Sequence, residues 1–144
     1  MEVHVYVASE NTQPRQEERW AGYLIRTSGH EVYDAKIVDE TYHKTNLIML
    51  VEALDRFSRS AKIVIHIQDY WVATMIVKNA ETWQFNGWQN KKHEKVKNWQ
   101  YWQRAYNKLQ CLKHEGKLPE FVKMTPEELS EVMYYIGLKK GREE

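Results

Sequence analysis

Residues 83–104 read WQFNGWQNKKHEKVKNWQYWQR, and this stretch carries the most specific pattern in the chain. Its two ends have helical character, whereas Gly87 and the polar run 89–95 interrupt the middle. Only one acidic residue, Glu94, accompanies the basic residues of this region, which are Lys91, Lys92, Lys95, Lys97, Arg104 and Lys108. We therefore predict a helix, a projecting basic loop and a second helix over about residues 81–110.

Upstream of this stretch, the chain begins with three predicted strands. Residues 3–7 alternate Val, His, Val, Tyr, Val, the period-two pattern of a half-buried strand. The polar stretch 9–19 predicts a loop. Residues 23–26 and 31–38 predict the second and third strands, and Gly29 supplies a turn between them.

Helices and strands alternate in the rest of the chain. Apolar residues at spacings of three and four predict a helix over 45–57, and the β-branched run 62–67 predicts a buried strand. Another helix is expected over 70–78 and a last strand over 118–124. A final helix over about 125–138 begins with the N-cap signal Thr125-Pro126-Glu127-Glu128, and a charged tail follows it.

Composition sets limits on the class of protein. We expect one domain over residues 1–144, because 42% hydrophobic and 28% charged residues suit a folded chain of this length. The formal net charge of +1 gives no global argument for a nucleic-acid, membrane or acidic partner. Cys111 is the single cysteine, and there is neither a leader pattern nor a long apolar run. These features predict a cytoplasmic protein.

The order of these elements resembles the type 1 ribonuclease H family, and the stretch quoted first resembles that family's basic handle. The matching residues are Trp83, Gly87-Trp88, Val96-Lys97-Asn98 and Trp102-Gln103-Arg104. Residues 42–54 and 63–72 are similar to the family's first helix and fourth strand. The resemblance covers about residues 1–105 and is poor beyond Cys111. It implies an α/β fold with a five-stranded mixed sheet, three antiparallel strands followed by parallel ones, helices on both faces and a basic handle, here residues 81–110.

The same resemblance implies a ribonuclease that cleaves the RNA strand of an RNA/DNA hybrid with two Mg²⁺ ions held by four carboxylates. In this register the four carboxylate positions hold Ala8, Asn46, Gln68 and Ser130. None of these side chains is charged, and amide oxygens are weaker ligands than carboxylates. We therefore predict no metal site and no catalytic residues.

A competing interpretation keeps the nuclease reaction through displaced carboxylates. Glu10 would replace the acid lost at Ala8, Asp69 the acid lost at Gln68, and the last helix would supply one of its own, Glu127, Glu128 or Glu131. Mg²⁺ or Mn²⁺ would be the cofactor in that case only. The geometry at Asp69 is unfavourable, because a shift of one residue along a strand turns the side chain to the opposite face.

The basic handle predicts nucleic-acid binding, whether or not the nuclease reaction is retained. Basic groups with interleaved tryptophans suit a phosphate backbone, and the predicted contact residues are Trp88, Lys91, Lys92, Lys95, Lys97, Asn98, Trp99 and Arg104. Asn98 and Lys97 fall where the family's phosphate contacts are expected. The structural alternative is that the tryptophans pack the handle helices together, and we favour that role for Trp83 and Trp102.

The sequence also suggests two other functions. His43 and His66 flank the former carboxylate positions and suggest an acid and base pair for metal-free RNA cleavage, although lone histidines are more often structural. No zinc spacing is present. The main alternative to a catalytically inactive nucleic-acid-binding protein is a protein-interaction module, such as an inhibitor or subunit of a nucleic-acid machine of phage or mobile-element origin.

Overall fold

The computed structural model describes residues 2–143, which form a five-stranded sheet and four helices. The elements in chain order are β1 (Glu2–Ser9), β2 (Glu17–Thr27), β3 (His30–Glu40), α1 (Tyr42–Leu54), β4 (Lys62–Ile67), α2 (Tyr70–Phe85), α3 (Trp99–Cys111), β5 (Glu120–Lys123) and α4 (Pro126–Glu143).

The sheet has the order β3-β2-β1-β4-β5. The first three strands pair antiparallel, and β1 then pairs parallel with β4, which pairs parallel with β5. β4 is an interior strand with parallel neighbours on both sides, which explains its nearly continuous β-branched sequence. The α/β fold with a mixed sheet is therefore as predicted.

Each face of the sheet carries its own apolar core. On one face, Val5, Val7 and Ile65 pack with buried residues of α1, α2 and α3. On the other face, Tyr6 and Ala8 pack with residues of α4. This division follows from the period of two along β1, which sends alternate side chains to opposite faces. It also separates the two histidines of the predicted acid and base pair, as described below.

Three boundaries differ from those predicted by five residues or more. β2 begins at Glu17, inside the predicted loop, because its polar first residues pair with β3 as far as Glu17 with Glu40. α2 runs on to Phe85, and α4 continues to Glu143 through the predicted charged tail. Lys140 and Arg142 in the last turn of α4 favour this extension by interacting with the helix dipole. Within residues 2–143, no helix has the length and apolar character that crossing a membrane requires.

Gly22 allows α4 to lie close to the sheet. A Cβ atom at this position would be 2.7 Å from the carbonyl oxygen of Asp34 and 2.9 Å from Cγ1 of Ile136. Neither the β3 backbone nor the buried Ile136 side chain can move away easily. Glycine on β2 is therefore required for the packing of α4.

Candidate nucleic-acid interface

Ala8 and Gln68 lie side by side at the carboxyl ends of β1 and β4. The parallel register pairs Val7 with Ile67, and the backbone N–H of Gln68 donates to the Val7 carbonyl at 3.0 Å. Ala8 is fully buried. The Gln68 side chain is held by Ser9, whose backbone N–H donates to Oε1 at 2.9 Å and whose carbonyl accepts from Nε2 at 3.2 Å. Both polar atoms of the Gln68 side chain are therefore hydrogen-bonded to the backbone of Ser9.

The other two positions that the sequence register assigns lie on helices. Asn46 is fully buried in α1, where Nδ2 donates to the Tyr42 carbonyl at 3.2 Å, and its Oδ1 has no partner among the described residues. Ser130 is exposed on α4. The structure thus brings Ala8 and Gln68 together, with neutral side chains at all four positions.

These residues do not fit a pair of hard cations. Mg²⁺ requires near-octahedral oxygen coordination, commonly with carboxylates, and here an alkyl group and an amide already bound to Ser9 occupy the two strand positions. In the part of the chain that the structure describes, no group of three or more His, Cys, Asp or Glu side chains is arranged to hold a metal ion.

The carboxylates proposed as substitutes mostly have other partners. Asp69 and Glu128 contact histidines, and Glu10 and Glu131 contact a lysine and an arginine, in the pairs Asp69–His43, Glu128–His66, Glu10–Lys140 and Glu131–Arg26. The nitrogen–oxygen distances in these pairs run from 2.6 to 3.0 Å. The hydrogen bond with Glu131 raises the pKa of Arg26, so that pair stays charged. These carboxylates are therefore directed to four different partners.

A histidine–aspartate pair lies at the start of α1 and α2. His43 Nδ1 is 2.6 Å from Oδ2 of Asp69, and its ring stacks on Trp71 with centroids 4.1 Å apart. Asp69 is buried, which raises its carboxyl pKa, while the hydrogen bond with His43 lowers it. The His43 side chain is 47% exposed. The buried carboxylate orients the ring, so Nε2 is the nitrogen left for an external partner.

His43 forms one wall of a small cavity between α1 and the handle. The cavity has a volume of about 200 Å³ and is lined by Pro14, Thr41, His43, Lys44, Leu47, Trp71, Lys97, Asn98 and Trp102. Among the described residues, Lys44 pairs with Glu40 at 3.0 Å and His43 contacts Asp69, whereas Lys97 has no carboxylate partner. Lys97 is therefore the side chain of this lining best placed to meet an anionic group. The predicted contact residues Lys97 and Asn98 both line this cavity.

The middle of the handle is a compact loop between the end of α2 and the start of α3. Asn90 organises its tip, because Oδ1 accepts from the backbone N–H groups of Lys92 at 2.9 Å and Glu94 at 3.1 Å. Trp88 and Asn98 adopt left-handed backbone conformations at the two ends of the loop. Trp102 Nε1 donates to the Lys97 carbonyl at 3.0 Å. Hydrogen bonds between residues of the handle therefore fix the conformation of the loop.

The basic side chains of the handle differ in their surroundings. Lys91, Lys92 and Lys97 are exposed, and none has a carboxylate within ion-pair distance among the described residues. Lys95 donates to the Gly87 carbonyl and lies over the Trp99 ring, whereas Arg104 pairs with Asp55 at 3.0 Å. Three lysines are thus free to meet phosphates.

The tryptophans of the handle are mostly structural. Trp88 is 3% exposed and Trp102 is 4% exposed, both within the core that covers α1 to α3. Trp88, one of the predicted contact residues, packs in the protein interior, so its ring has little surface to offer a nucleic acid. Trp83 is half-buried against Trp88 and Trp102, as favoured from the sequence. Trp99 is half-buried and already lies beneath Lys95.

The suggested acid and base pair of His43 and His66 does not form. His66 faces the α4 side of the sheet, where its ring stacks on Tyr6 with centroids 4.4 Å apart. His43 lies on α1, which packs on the other face. The partners of the two histidines are Asp69 for His43, and His4 and Glu128 for His66. No sequence signal identifies these partners, since each pair joins residues far apart in the chain.

Comparison with known sequences agrees with this fold. The family model described as RNase H matches residues 2–118. A ribonuclease H of Hyphomonas neptunium is 29% identical over 96 residues, which are 65% of this chain and 62% of that protein. A ribonuclease H of Neorickettsia sennetsu is 27% identical over 60% of this chain and 59% of its own length. The chain thus aligns with about three fifths of each of these relatives.

Comparison with solved structures gives the same fold at low identity. LC9-RNase H1, described as a type 1 RNase H with the type 2 active-site motif, has a TM-score of 0.67 and 16% identity over 97% of this chain and 72% of its own. LC11-RNase H1 in complex with an RNA/DNA hybrid has a TM-score of 0.59 and 11% identity over 92% of this chain and 91% of its own.

Proposed function

This chain belongs to the RNase H family, and from that membership we propose that it binds RNA/DNA hybrid or structured RNA without cutting it. The observation that carries the proposal is the contrast between two neighbouring regions. The handle presents three lysines that have no carboxylate partner among residues 2–143, one of them at a small cavity, whereas the carboxylate positions on the strands hold Ala8 and a Gln68 amide bound to Ser9. The handle thus offers lysines to phosphates, while the two strand positions, Ala8 and Gln68, offer no carboxylate to a metal ion.

Binding is expected to be electrostatic. Lys91 and Lys92 at the loop tip and Lys97 at the cavity are positioned to contact backbone phosphates, with Asn98 beside Lys97. Contacts of this kind carry little sequence information, so the protein recognises charge and helix shape. A structural neighbour, LC11-RNase H1, was solved with an RNA/DNA hybrid, which makes the hybrid the first substrate to test.

Cleavage requires a metal-activated water, and none of the four carboxylate positions holds an acidic ligand for the metal. Of the possible substitutes, Glu10 is held by Lys140, Asp69 by His43 and Glu131 by Arg26. Recruiting these three to one metal pair would break three contacts in separate parts of the fold. We therefore propose that Mg²⁺ and Mn²⁺ are not cofactors of this protein.

The direct test follows binding and cleavage together. Purified protein is incubated with a labelled 20-base-pair RNA/DNA hybrid in Mg²⁺ or Mn²⁺, and each reaction is divided between a native gel and a denaturing gel. We expect a mobility shift with intact RNA. Metal-dependent cleavage would contradict the proposed loss of activity, and the absence of a shift for both hybrid and double-stranded RNA would contradict nucleic-acid binding.

His43 is expected to contribute to this binding through the free nitrogen of its ring. Asp69 holds Nδ1, so Nε2 is the nitrogen that can form a hydrogen bond with nucleic acid at the cavity beside Lys97. His43→Ala should weaken hybrid binding about three- to tenfold, as for loss of one hydrogen bond. Fluorescence anisotropy measures the affinity of both proteins.

The matched control is His114→Ala, which removes an exposed histidine near the other end of α3. Equal losses for the two variants would contradict the assignment. A second variant, Asp69→Asn, keeps an oxygen for Nδ1, so it should leave the ring oriented and lose less affinity than His43→Ala.

A protein partner is the second candidate, favoured by apolar side chains on α2. Phe85 is 91% exposed and Val77 is 75% exposed, and eight residues place them on one side of the helix. Large exposed apolar groups often mark interaction surfaces. A complex that survives nuclease treatment and is lost in a Val77→Ser, Phe85→Ser double variant would support this candidate.

A further inference from the structure

A second cavity lies between the end of α2 and the tip of the handle. Its volume of about 480 Å³ is within the range of about 300–1,000 Å³ that is usual for small-molecule sites. Among the residues that the structure describes, it shares no lining side chain with the cavity beside His43. Four of its lining side chains are amides, and these are Asn79, Asn86, Gln89 and Asn90. This cavity is hereafter the amide pocket.

Internal contacts fix the orientation of two of these amides. Asn90 Oδ1 accepts from the backbone N–H groups of Lys92 at 2.9 Å and Glu94 at 3.1 Å, so its Nδ2 group is the part left to donate to a ligand. Asn79 Nδ2 donates to the sulfur of Met75 at 3.5 Å, so its Oδ1 is the part left to accept. The amide pocket therefore offers a donor and an acceptor whose identities the protein itself sets.

Trp83 supplies an aromatic wall of the amide pocket. The centroid of its ring is 6.3 Å from that of Trp88 and 5.7 Å from that of Trp102, and the side chain is half-buried. The two neighbouring rings hold Trp83 in place and leave part of its surface to the cavity. An aromatic surface of this kind favours a flat ligand, because planar rings stack on one another.

The charge of the lining narrows the class of ligand. None of the described residues that line the amide pocket is acidic, whereas Lys91 and His93 line it at the handle tip. This lining suits a flat and largely neutral ring that carries an anionic group. A nucleotide has these properties, and asparagine and glutamine are the side chains that pair with the adjacent donors and acceptors of a base edge.

We propose that the amide pocket binds one unpaired nucleotide, with its base against Trp83 and the amides and its phosphate at Lys91. The proposal rests on the proposed function, since a strand held by the handle would bring such a nucleotide to the pocket. In a fully paired hybrid the bases are stacked and their pairing edges are occupied. The protein should therefore prefer a nucleic acid with a bulged nucleotide. A free nucleotide has the same chemistry, and the experiments below separate the two sources.

The first experiment tests the amide pocket without a hybrid. The ¹⁵N-labelled full chain is titrated with AMP, GMP, CMP and UMP to millimolar concentration. At least one nucleotide should shift the side-chain N–H₂ signals of the four amides and the indole N–H signal of Trp83. Unchanged signals with all four nucleotides would overturn the proposal, whether or not the protein binds a hybrid.

The second experiment identifies the source of the nucleotide. Fluorescence anisotropy compares a 20-base-pair RNA/DNA hybrid with the same hybrid carrying one extra, bulged RNA nucleotide. The natural chain should bind the bulged hybrid about tenfold more tightly, the size expected for one stacked base. The double variant Asn86→Ala, Gln89→Ala should lose this preference and keep its affinity for the paired hybrid.

The matched control is Gln100→Ala, Asn107→Ala, which removes two exposed amides from α3 and should keep the preference. The same preference in both double variants would overturn a role for the amide pocket in binding the bulge. Nucleotide-induced shifts without any preference for the bulged hybrid would assign the pocket to a free nucleotide. Such shifts in a protein that binds neither hybrid would contradict the proposed function alone.

Discussion

Replacement of Lys91, Lys92, Lys95 and Lys97 by alanine is expected to lower hybrid affinity by about 10³- to 10⁴-fold at 0.1 M salt. The estimate follows from counterion release, in which the logarithm of the binding constant changes by about 0.9 per phosphate contact for each tenfold change in salt. Four contacts therefore contribute about 3.6 decades between 1 M and 0.1 M salt. Titrations at several salt concentrations measure both quantities, and the slope should fall by about 3 to 4.

The matched control removes four lysines outside the handle, namely Lys36, Lys113, Lys117 and Lys139. It changes net charge by the same amount, so any difference between the two variants reports position. The control should lose about tenfold or less, as long-range attraction is screened beyond about 10 Å. Comparable losses in both variants would show that the handle is not the binding surface. Unchanged affinity in the handle variant would do the same.

Single substitutions distinguish the free lysines from the one with internal partners. Lys95 already donates to the Gly87 carbonyl and lies over Trp99, so it gives up these contacts on binding. Lys97 lines the cavity and has no carboxylate partner among the described residues. Within the fourfold variant we therefore attribute a larger share of the lost affinity to Lys97.

The fold was predictable because its signals are local. Alternation in β1, the β-branched run of β4 and the Thr125 cap each lie within a few residues, and each produced the expected element. Pairing between strand residues that are far apart in the sequence was harder to predict. The start of β2 at Glu17 depends on Glu40 of β3, and no periodicity in the polar segment predicts that partner.

The site was predictable in part. The family pattern in the handle correctly singled out Lys97 and Asn98, which line a cavity. It could not show that Trp88 is buried, because a tryptophan that packs in the core and one on the surface are the same letter in a sequence. The partners of His43 and His66 also escaped prediction. Each contact joins elements that only the folded sheet brings together, so spacing along the chain holds no information about it.

Restoring acids at the four carboxylate positions is expected to create a metal site and metal-dependent hybrid cleavage. The variant carries Ala8→Asp, Asn46→Glu, Gln68→Asp and Ser130→Asp. Neighbouring positions on β1 and β4 would then hold two carboxylates whose repulsion destabilises the protein without a cation. Mg²⁺ that binds only the folded state should restore stability by about 2.7 kcal/mol at 100 times its dissociation constant. Thermal midpoints in EDTA and in Mg²⁺ measure this without relying on activity.

The control for this last variant carries amides of the same sizes, Ala8→Asn, Asn46→Gln, Gln68→Asn and Ser130→Asn. It matches the packing changes at the buried Ala8 and Asn46 but adds no charge. It should show neither cleavage nor a metal-dependent midpoint, because neutral oxygens hold Mg²⁺ weakly. If the acidic variant folds yet its midpoint is the same in EDTA and in Mg²⁺, these four positions do not form a metal site. Cleavage by the acidic variant and not by the amide variant would instead identify carboxylates at these four positions as sufficient for hybrid cleavage on this fold.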